Sequence, residues 1–122
     1  MQIKVVIVDD DEEIRGSLAA LIRRASYLRL LGEYANAESA LKEIPRHPPD
    51  VVLMDYRMPG LDGARSTRAV LEASPSSRVV CLTASVSTDE RDHVLAAGAV
   101  ACLMKDEGLD RIVEAILEAA LT

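Results

Sequence analysis

Five side chains that suit phosphate chemistry each lie at the end of a short apolar run of the chain. Asp9 and Asp10 follow one run, Asp55 closes a second, Thr83 ends a third and Lys105 follows a fourth. Carboxylates that are crowded together repel one another, so they either hold a proton or bind a cation. Ligands that are all oxygen suit Mg²⁺, which accepts one or two carboxylates and keeps several waters. With the cation present, an ionised Asp55 could be both ligand and nucleophile.

Each of these residues also has an ordinary structural explanation. Asp10 or Asp11 could cap a helix, and Asp55 could cap a loop. Thr83 could be an ordinary strand residue and Lys105 a solvated surface charge. All five at strand ends together indicate a site instead. Lys105 would offset the charge of an incoming phosphoryl group, and the Thr83 hydroxyl would donate a hydrogen bond to one of its oxygens. The product would be an acyl phosphate on Asp55.

Short apolar runs alternate with helical periodicity along the whole chain. The runs predict five strands, at 3–8, 28–33, 50–55, 78–83 and 99–104. A helix is predicted after each strand. The first begins at the carboxylates 9–11, the second covers 37–44 before Pro45, the third covers 62–73, the fourth opens with Ser87 and Glu90 and ends at Gly98, and the fifth covers 109–120. This alternation predicts a parallel sheet with helices on both faces, whose ligands bind outside the carboxyl ends of the strands.

Composition narrows the possible functions. A chain of 122 residues that is 49% hydrophobic can form one domain, 1–122, with an aliphatic core. The net charge of −6 argues against nucleic-acid binding by this domain. The apolar runs are too short to cross a membrane, and the start of the chain does not resemble a signal peptide, so we expect a cytoplasmic protein. Cys81 and Cys102 lie in apolar runs and are expected to be separate, reduced core thiols.

Four runs of the sequence resemble the signatures of response-regulator receiver domains of two-component systems. They are VIVDD at 6–10, MDYRMPGLDG at 54–63, LTA at 82–84 and LMKD at 103–106. They occur in the family's order and extend over nearly the whole chain. The runs LGE at 31–33 and KD at 105–106 further resemble the NarL/FixJ subfamily.

This resemblance implies a flavodoxin-like (βα)5 three-layer sandwich with strand order 2-1-3-4-5. Asp55 would accept a phosphoryl group from a histidine of a sensor histidine kinase. Asp10 and Asp55 would bind Mg²⁺ by side chain, Arg57 by its backbone carbonyl and Asp9 through water, while Thr83 and Lys105 would hold the phosphoryl oxygens. The domain would be a switch rather than an enzyme, apart from its own phosphorylation and dephosphorylation.

The resemblance also implies an output surface made by the fourth helix, fifth strand and fifth helix, on which phosphorylation could form a homodimer. NarL/FixJ relatives continue into a DNA-binding domain, whereas this chain stops at Thr122. Any contact with DNA, and so any control of transcription, would belong to residues absent from this chain. An excised domain and a stand-alone regulator both remain open.

Two departures and two rival classes accompany this interpretation. Cys102 occupies the position where the family commonly has an aromatic switch residue, so the coupling to the output surface is left open. Arg57 and Ser85 flank the path to the acceptor, and we expect both to tune phosphate lifetime, either lengthening or shortening it.

A phosphatase of the haloacid dehalogenase type would require an acidic residue at the position of Arg57. A degenerate receiver, acting only as a binding module, would lack an acid, the threonine or the lysine, and none of these is lost.

Overall fold

Five strands alternate with five helices in the computed structural model, which describes residues 2–84 and 87–122. The strands are β1 (Ile3–Val8), β2 (Leu28–Tyr34), β3 (Val51–Asp55), β4 (Arg78–Thr83) and β5 (Ala101–Met104). The helices are α1 (Glu12–Arg24), α2 (Ala37–Glu43), α3 (Gly63–Ala73), α4 (Thr88–Ala96) and α5 (Leu109–Ala120). Ser85, which the sequence marks as a flanking residue, lies outside the described residues.

The strands form one parallel sheet in the order β2-β1-β3-β4-β5. From β1, the chain first adds β2 on one side and then adds β3, β4 and β5 in turn on the other side. The order of strands therefore reverses between β1 and β3, which are hydrogen-bonded neighbours. This arrangement confirms the predicted flavodoxin-like fold. A sheet of this kind leaves a crevice at the carboxyl ends of β1 and β3, because their connections leave towards opposite faces.

Alternation along the strands divides the core into two layers, one on each face of the sheet. Successive strand residues point to opposite faces, so Ile7 and Leu53 join one cluster while Val8 and Met54 join the other. The first cluster packs beneath α1 and α5, and the second beneath α2, α3 and α4. Both faces of the sheet are therefore apolar, which is why its strands read as continuous hydrophobic runs.

Four helices begin at a side chain that accepts a hydrogen bond from the backbone of the first turn. The capping residues are Asp11, Asn36, Asp62 and Ser87. Each satisfies an N–H group that has no partner within its own helix. The predicted capping box of the fourth helix is confirmed, since Glu90 N donates to Ser87 Oγ at 3.1 Å and Ser87 N donates to a Glu90 carboxylate oxygen at 3.3 Å.

Two strands begin later than the sequence predicts. Asp50 does not join β3, and its carboxylate instead accepts a hydrogen bond from Lys4 N at 2.8 Å. The fifth strand starts at Ala101 rather than at residue 99, because Ala99 N donates to Val94 O and closes the end of α4. The apolar pattern therefore places both strands but does not fix the residue at which each strand begins.

The two cysteines face each other across neighbouring strands. Cys81 of β4 pairs in register with Cys102 of β5, and both thiols are buried and unbridged. Burial, and then the proximity of Cys102, raises the pKa of Cys81. The prediction of separate core thiols is confirmed. No helix in residues 2–84 and 87–122 is long and apolar enough to cross a bilayer.

Gly98 is required by backbone conformation, since its φ of +116° lies in a region that other residues rarely adopt. We expect Gly98→Ala to lower the free energy of unfolding by about 1–3 kcal/mol. A built Cβ also lies 2.5 Å from the flexible end of Leu71, which can move aside. Chemical denaturation measures this change.

Gly16→Ala is the matched control, because Gly16 lies inside α1 and a Cβ there meets nothing within 4 Å. It should raise the free energy of unfolding by roughly 0.5–1 kcal/mol through helix propensity. Equal losses in both variants would contradict the conformational explanation.

Candidate functional site

Three carboxylates meet at the carboxyl edge of the sheet. Asp9 and Asp10 follow the last residue of β1, and Asp55 is the last residue of its neighbour β3. One carboxylate oxygen from each lies within 4.8 Å of the other two. Asp9 and Asp55 are only 1% and 5% exposed, whereas Asp10 is open to solvent. The structure thus gathers these three predicted residues in one cluster, in which Asp10 is the member that faces solvent.

Lys105 brings the one ammonium group close to these carboxylates. Its Nζ lies 2.8 Å from Asp9 Oδ2 and 3.2 Å from Asp55 Oδ1. A short 3-10 turn at Lys105–Glu107 follows β5 directly, and the Glu107 carboxylate accepts a hydrogen bond from Met104 N at 2.7 Å. This turn fixes where the lysine leaves the sheet. Three carboxylates and one ammonium carry a formal charge of −2 when all are ionised.

Backbone contacts hold Asp9 in place on the side away from Lys105. Asp11 N donates to Asp9 Oδ1 at 2.9 Å, and Arg15 Nη1 donates to the Asp9 carbonyl at 2.8 Å. Arg15 is itself paired with Glu33 of β2, at 3.3 Å between Nε and Oε1. The start of α1 and the end of β2 therefore fix the position of this buried carboxylate.

The pKa values of Asp55 and Lys105 reflect the concentration of negative charge at this site. Burial, and then the charge of Asp9, raises the pKa of Asp55 from 3.8 to about 7, although Lys105 opposes the change. Burial lowers the pKa of Lys105, but its contacts with Asp9 and Asp55 outweigh burial and leave that pKa above its ordinary value. The ammonium therefore stays charged, and a further positive charge would favour the ionised form of Asp55.

Asp9 Oδ2 is a buried oxygen with unused capacity to accept. Lys105 Nζ lies 2.8 Å away as an ion pair, and among the described residues no other group bonds to this oxygen. A divalent cation that prefers oxygen ligands fits a site with this oxygen, two further carboxylates and net negative charge. The acidic cluster is thus compatible with the magnesium site of receiver domains.

The remaining predicted residues lie at the same edge of the sheet. Thr83 ends β4 one residue beyond Leu82, which pairs with Asp55 in register, and it is 1% exposed. Arg57 lies two residues beyond Asp55 in the β3–α3 connection, with a side chain that is 60% exposed. The structure therefore brings the predicted residues to one edge, while their chemical roles stay predictions.

Sequence reasoning missed two charged residues around this site. Arg15 supports the Asp9 carbonyl, and Glu90 binds the Arg57 guanidinium at 2.8 Å. Helical spacing from Asp11 could have placed Arg15 over the end of β1, because residues four apart share a helix face. The sequence marks Glu90 only as a capping residue. Its pairing with Arg57 joins residues 33 apart in the chain, so no local pattern reveals it.

Comparison with known proteins identifies the family. The family model described as the response regulator receiver domain matches residues 5–117. Response regulator GacA of Pseudomonas syringae is 35% identical over 114 residues, covering 93% of this chain and 53% of GacA. The NarL transcriptional regulatory protein of Mycobacterium tuberculosis is 34% identical over 119 residues, covering 98% of this chain and 55% of NarL.

The fold agrees with these relationships. The solved signal receiver domain of NarL from Mycobacterium tuberculosis superposes with a TM-score of 0.91 at 34% identity, covering 98% of this chain and 96% of that domain. The chain therefore belongs to the response regulator receiver domain family, and the predicted resemblance to NarL-type members is confirmed. Members of this family are phosphoacceptor switches that sensor histidine kinases phosphorylate. The chain spans about half the length of the curated relatives it matches.

The raised pKa of Asp55 predicts how stability depends on pH without metal. In the unfolded chain this carboxyl loses its proton near its ordinary pKa of 3.8, whereas the folded protein retains the proton up to about pH 7. Folded protein therefore binds more protons, so the contribution of Asp55 to stability falls as pH rises through that window. We therefore compare the free energies of unfolding of Asp55→Asn and of the parent in the presence of a chelator. The variant's advantage over the parent should grow by roughly 2 kcal/mol between about pH 5 and 8.

Denaturant unfolding at both pH values measures that difference. Asp62→Asn is the control, because Asp62 is an exposed N-cap and Asn caps equally well. A stability difference between Asp55→Asn and the parent that did not change with pH would contradict the prediction.

Proposed function

We propose that this chain is a magnesium-dependent switch that accepts a phosphoryl group on Asp55 from a sensor histidine kinase. The observation that carries the proposal is the contact of Lys105 with both Asp9 and Asp55, with Asp10 beside them. This arrangement gives a carboxylate nucleophile, a cation and a place for a second cation within one pocket. Family membership supports the same class of reaction.

The transfer balances without any further reactant. A carboxylate oxygen of Asp55 forms a bond to phosphorus as the bond from phosphorus to the donor histidine nitrogen breaks, and that nitrogen takes up a proton from water. Lys105 offsets negative charge on the phosphoryl oxygens, and the Thr83 hydroxyl donates a hydrogen bond to one of them. Positioning and electrostatics supply the catalysis, and an acceptor that a bound cation keeps ionised needs no general base.

Asp9, Asp10 and Asp55, together with the Arg57 backbone carbonyl, are the groups that would hold Mg²⁺. When bound, the cation would neutralise charge on the acceptor and on the phosphoryl oxygens. Asp10 suits this role because it is exposed and its carboxylate lies on the open side of the cluster. The buried Asp9 fits a supporting position, held by Lys105 and by Asp11 N.

A groove beside the site suits docking of the kinase. It has a volume of about 400 Å³, lies between α1 and α5, and includes Ile14, Leu109 and Lys105 in its lining. Leu109 is 47% exposed there. An apolar surface next to the acceptor lets a helical partner bury area while presenting its histidine.

The output belongs to the face made by α4, β5 and α5. Leu95 of α4 and Val100, the residue before β5, each expose more than a third of their surface. We propose that phosphorylation promotes homodimerisation there, and that control of transcription runs through a DNA-binding domain beyond this chain, with the protein acting in the cytoplasm. The relatives GacA and NarL, which are about twice as long as the matched region, favour this arrangement.

Intact mass spectrometry after incubation with acetyl phosphate and Mg²⁺ tests the acceptor. We expect the parent to gain one phosphoryl group, Asp55→Asn to gain none, and either chelator or the absence of Mg²⁺ to abolish the gain. Asp62→Asn, in the same connection, should be phosphorylated like the parent. A parent that stays unmodified would favour the alternative of a phosphorylation-independent binding module.

A second experiment tests the metal. Mg²⁺ at 100 times its dissociation constant should stabilise the folded parent by about 2.7 kcal/mol, because it binds the folded state. Asp10→Asn should lose most of this stabilisation. Asp11→Asn removes a charge at the next position while keeping the α1 cap, so it should respond to Mg²⁺ like the parent. Equal responses of the two variants in thermal unfolding would place the cation elsewhere.

A further inference from the structure

Glu90 makes two separate contacts at the start of α4. Its carboxylate accepts a hydrogen bond from Ser87 N at 3.3 Å, which completes the capping box. The same carboxylate binds the Arg57 guanidinium, with Nη2 at 2.8 Å from both Oε1 and Oε2. One side chain thus joins the beginning of α4 to the connection that follows the acceptor strand.

This ion pair favours one orientation of the Arg57 side chain in the unphosphorylated protein. Arg57 is two residues beyond Asp55, and its guanidinium also lies 5.9 Å from the centre of the Tyr56 ring. Arg57 and Glu90 both line an open depression of about 410 Å³. The arginine therefore has room to take up another orientation once its partner is neutralised or outcompeted.

Phosphorylation of Asp55 would place a competitor for the guanidinium at the end of β3, two residues before Arg57. A phosphoryl group adds strong acceptor oxygens and roughly −1.5 to −2 charges. The existing ion pair is weak, because Arg57 is 60% exposed and Glu90 26% exposed. Exposed pairs of this kind bias an equilibrium by at most about fivefold. An acyl phosphate on Asp55 can therefore draw Arg57 away from Glu90.

We propose that Glu90 is a positioning residue that holds Arg57 away from the aspartyl phosphate and so sets how fast it hydrolyses. This inference rests on the proposed function of Asp55. In hydrolysis, water attacks phosphorus and the bond from phosphorus to the Asp55 oxygen breaks, which releases inorganic phosphate and restores the carboxylate. Arg57 acts on this step only when it is near the phosphoryl group, and Glu90 controls how often that occurs.

The same exchange of partners connects the acceptor to α4. When Arg57 leaves, Glu90 loses its cation but keeps its hydrogen bond with Ser87, so the charge balance at the beginning of the helix changes. Cys102 fills the position where the family commonly has an aromatic switch residue, and it is buried against Cys81. The ion pair gives this chain a route from Asp55 to α4 that needs no aromatic side chain.

The test measures the rate of loss of the phosphoryl group, by intact mass, after phosphodonor is removed. Glu90→Gln removes the charge and keeps a side chain that serves in a capping box. We expect Glu90→Gln to change the hydrolysis rate by about two- to fivefold, in the direction opposite to Arg57→Ala. In the double variant, Arg57→Ala with Glu90→Gln, the rate should equal that of Arg57→Ala alone.

Glu114→Gln is the matched control, because it breaks an exposed ion pair with Arg111 on α5. It should leave the rate at the parental value, and the thermal stabilities of Glu90→Gln and Glu114→Gln should be similar. A parental rate in Glu90→Gln, or an unchanged effect of that substitution when Arg57 is alanine, would overturn the inference while leaving the acceptor role of Asp55 intact. Failure of the parent to become phosphorylated would overturn both.

Discussion

The charge balance between Lys105 and two nearly buried carboxylates is the constraint on which the rest of the site depends. Burial, and then the charge of Asp9, raises the pKa of Asp55 to about 7. One ammonium group at 2.8 and 3.2 Å offsets part of this effect and leaves the cluster negative. Because Lys105 offsets only part of the cost of burying ionised carboxylates, the site favours binding of a cation. An anionic ligand is favoured only once such a cation is bound.

The fold supplies this arrangement because parallel strands end at a common edge. Asp9, Asp55, Thr83 and Lys105 come from four strands that are separated along the chain, yet each lies at or just beyond a carboxyl end. The strands themselves are covered on both faces and are rigid, so the acidic groups cannot move apart to relieve their repulsion. Arg15 of α1, which is paired with Glu33 of β2, then donates a hydrogen bond to the Asp9 backbone carbonyl and helps to fix this residue in place.

Features that arise from local sequence could be predicted, whereas long-range side-chain pairs could not. The strand at 78–83 and the capping box at Ser87 follow from residues next to one another, and the structure has both. The edge shared by the carboxylates followed from the predicted topology. The hydrogen bond from Lys4 N to the Asp50 carboxylate, by contrast, joins residues 46 apart in the chain, so no local pattern predicts it. The Arg57–Glu90 pair likewise depends on how the β3–α3 connection packs against α4, which no periodicity encodes.

The coupling proposed through Arg57 and Glu90 is electrostatic rather than steric, and it suits a chain with Cys102 where the resemblance implies an aromatic residue. A rotating ring transmits a change by filling space, and a thiol paired in register with Cys81 has no comparable volume to move. Charged groups act over longer distances than packing contacts do, so an arginine shared between a carboxylate and a phosphoryl group can transmit the change without repacking the core. The exposure of Arg57 keeps that exchange weak and therefore reversible. A switch of this kind should respond to ionic strength, because screening weakens exposed pairs more than buried ones.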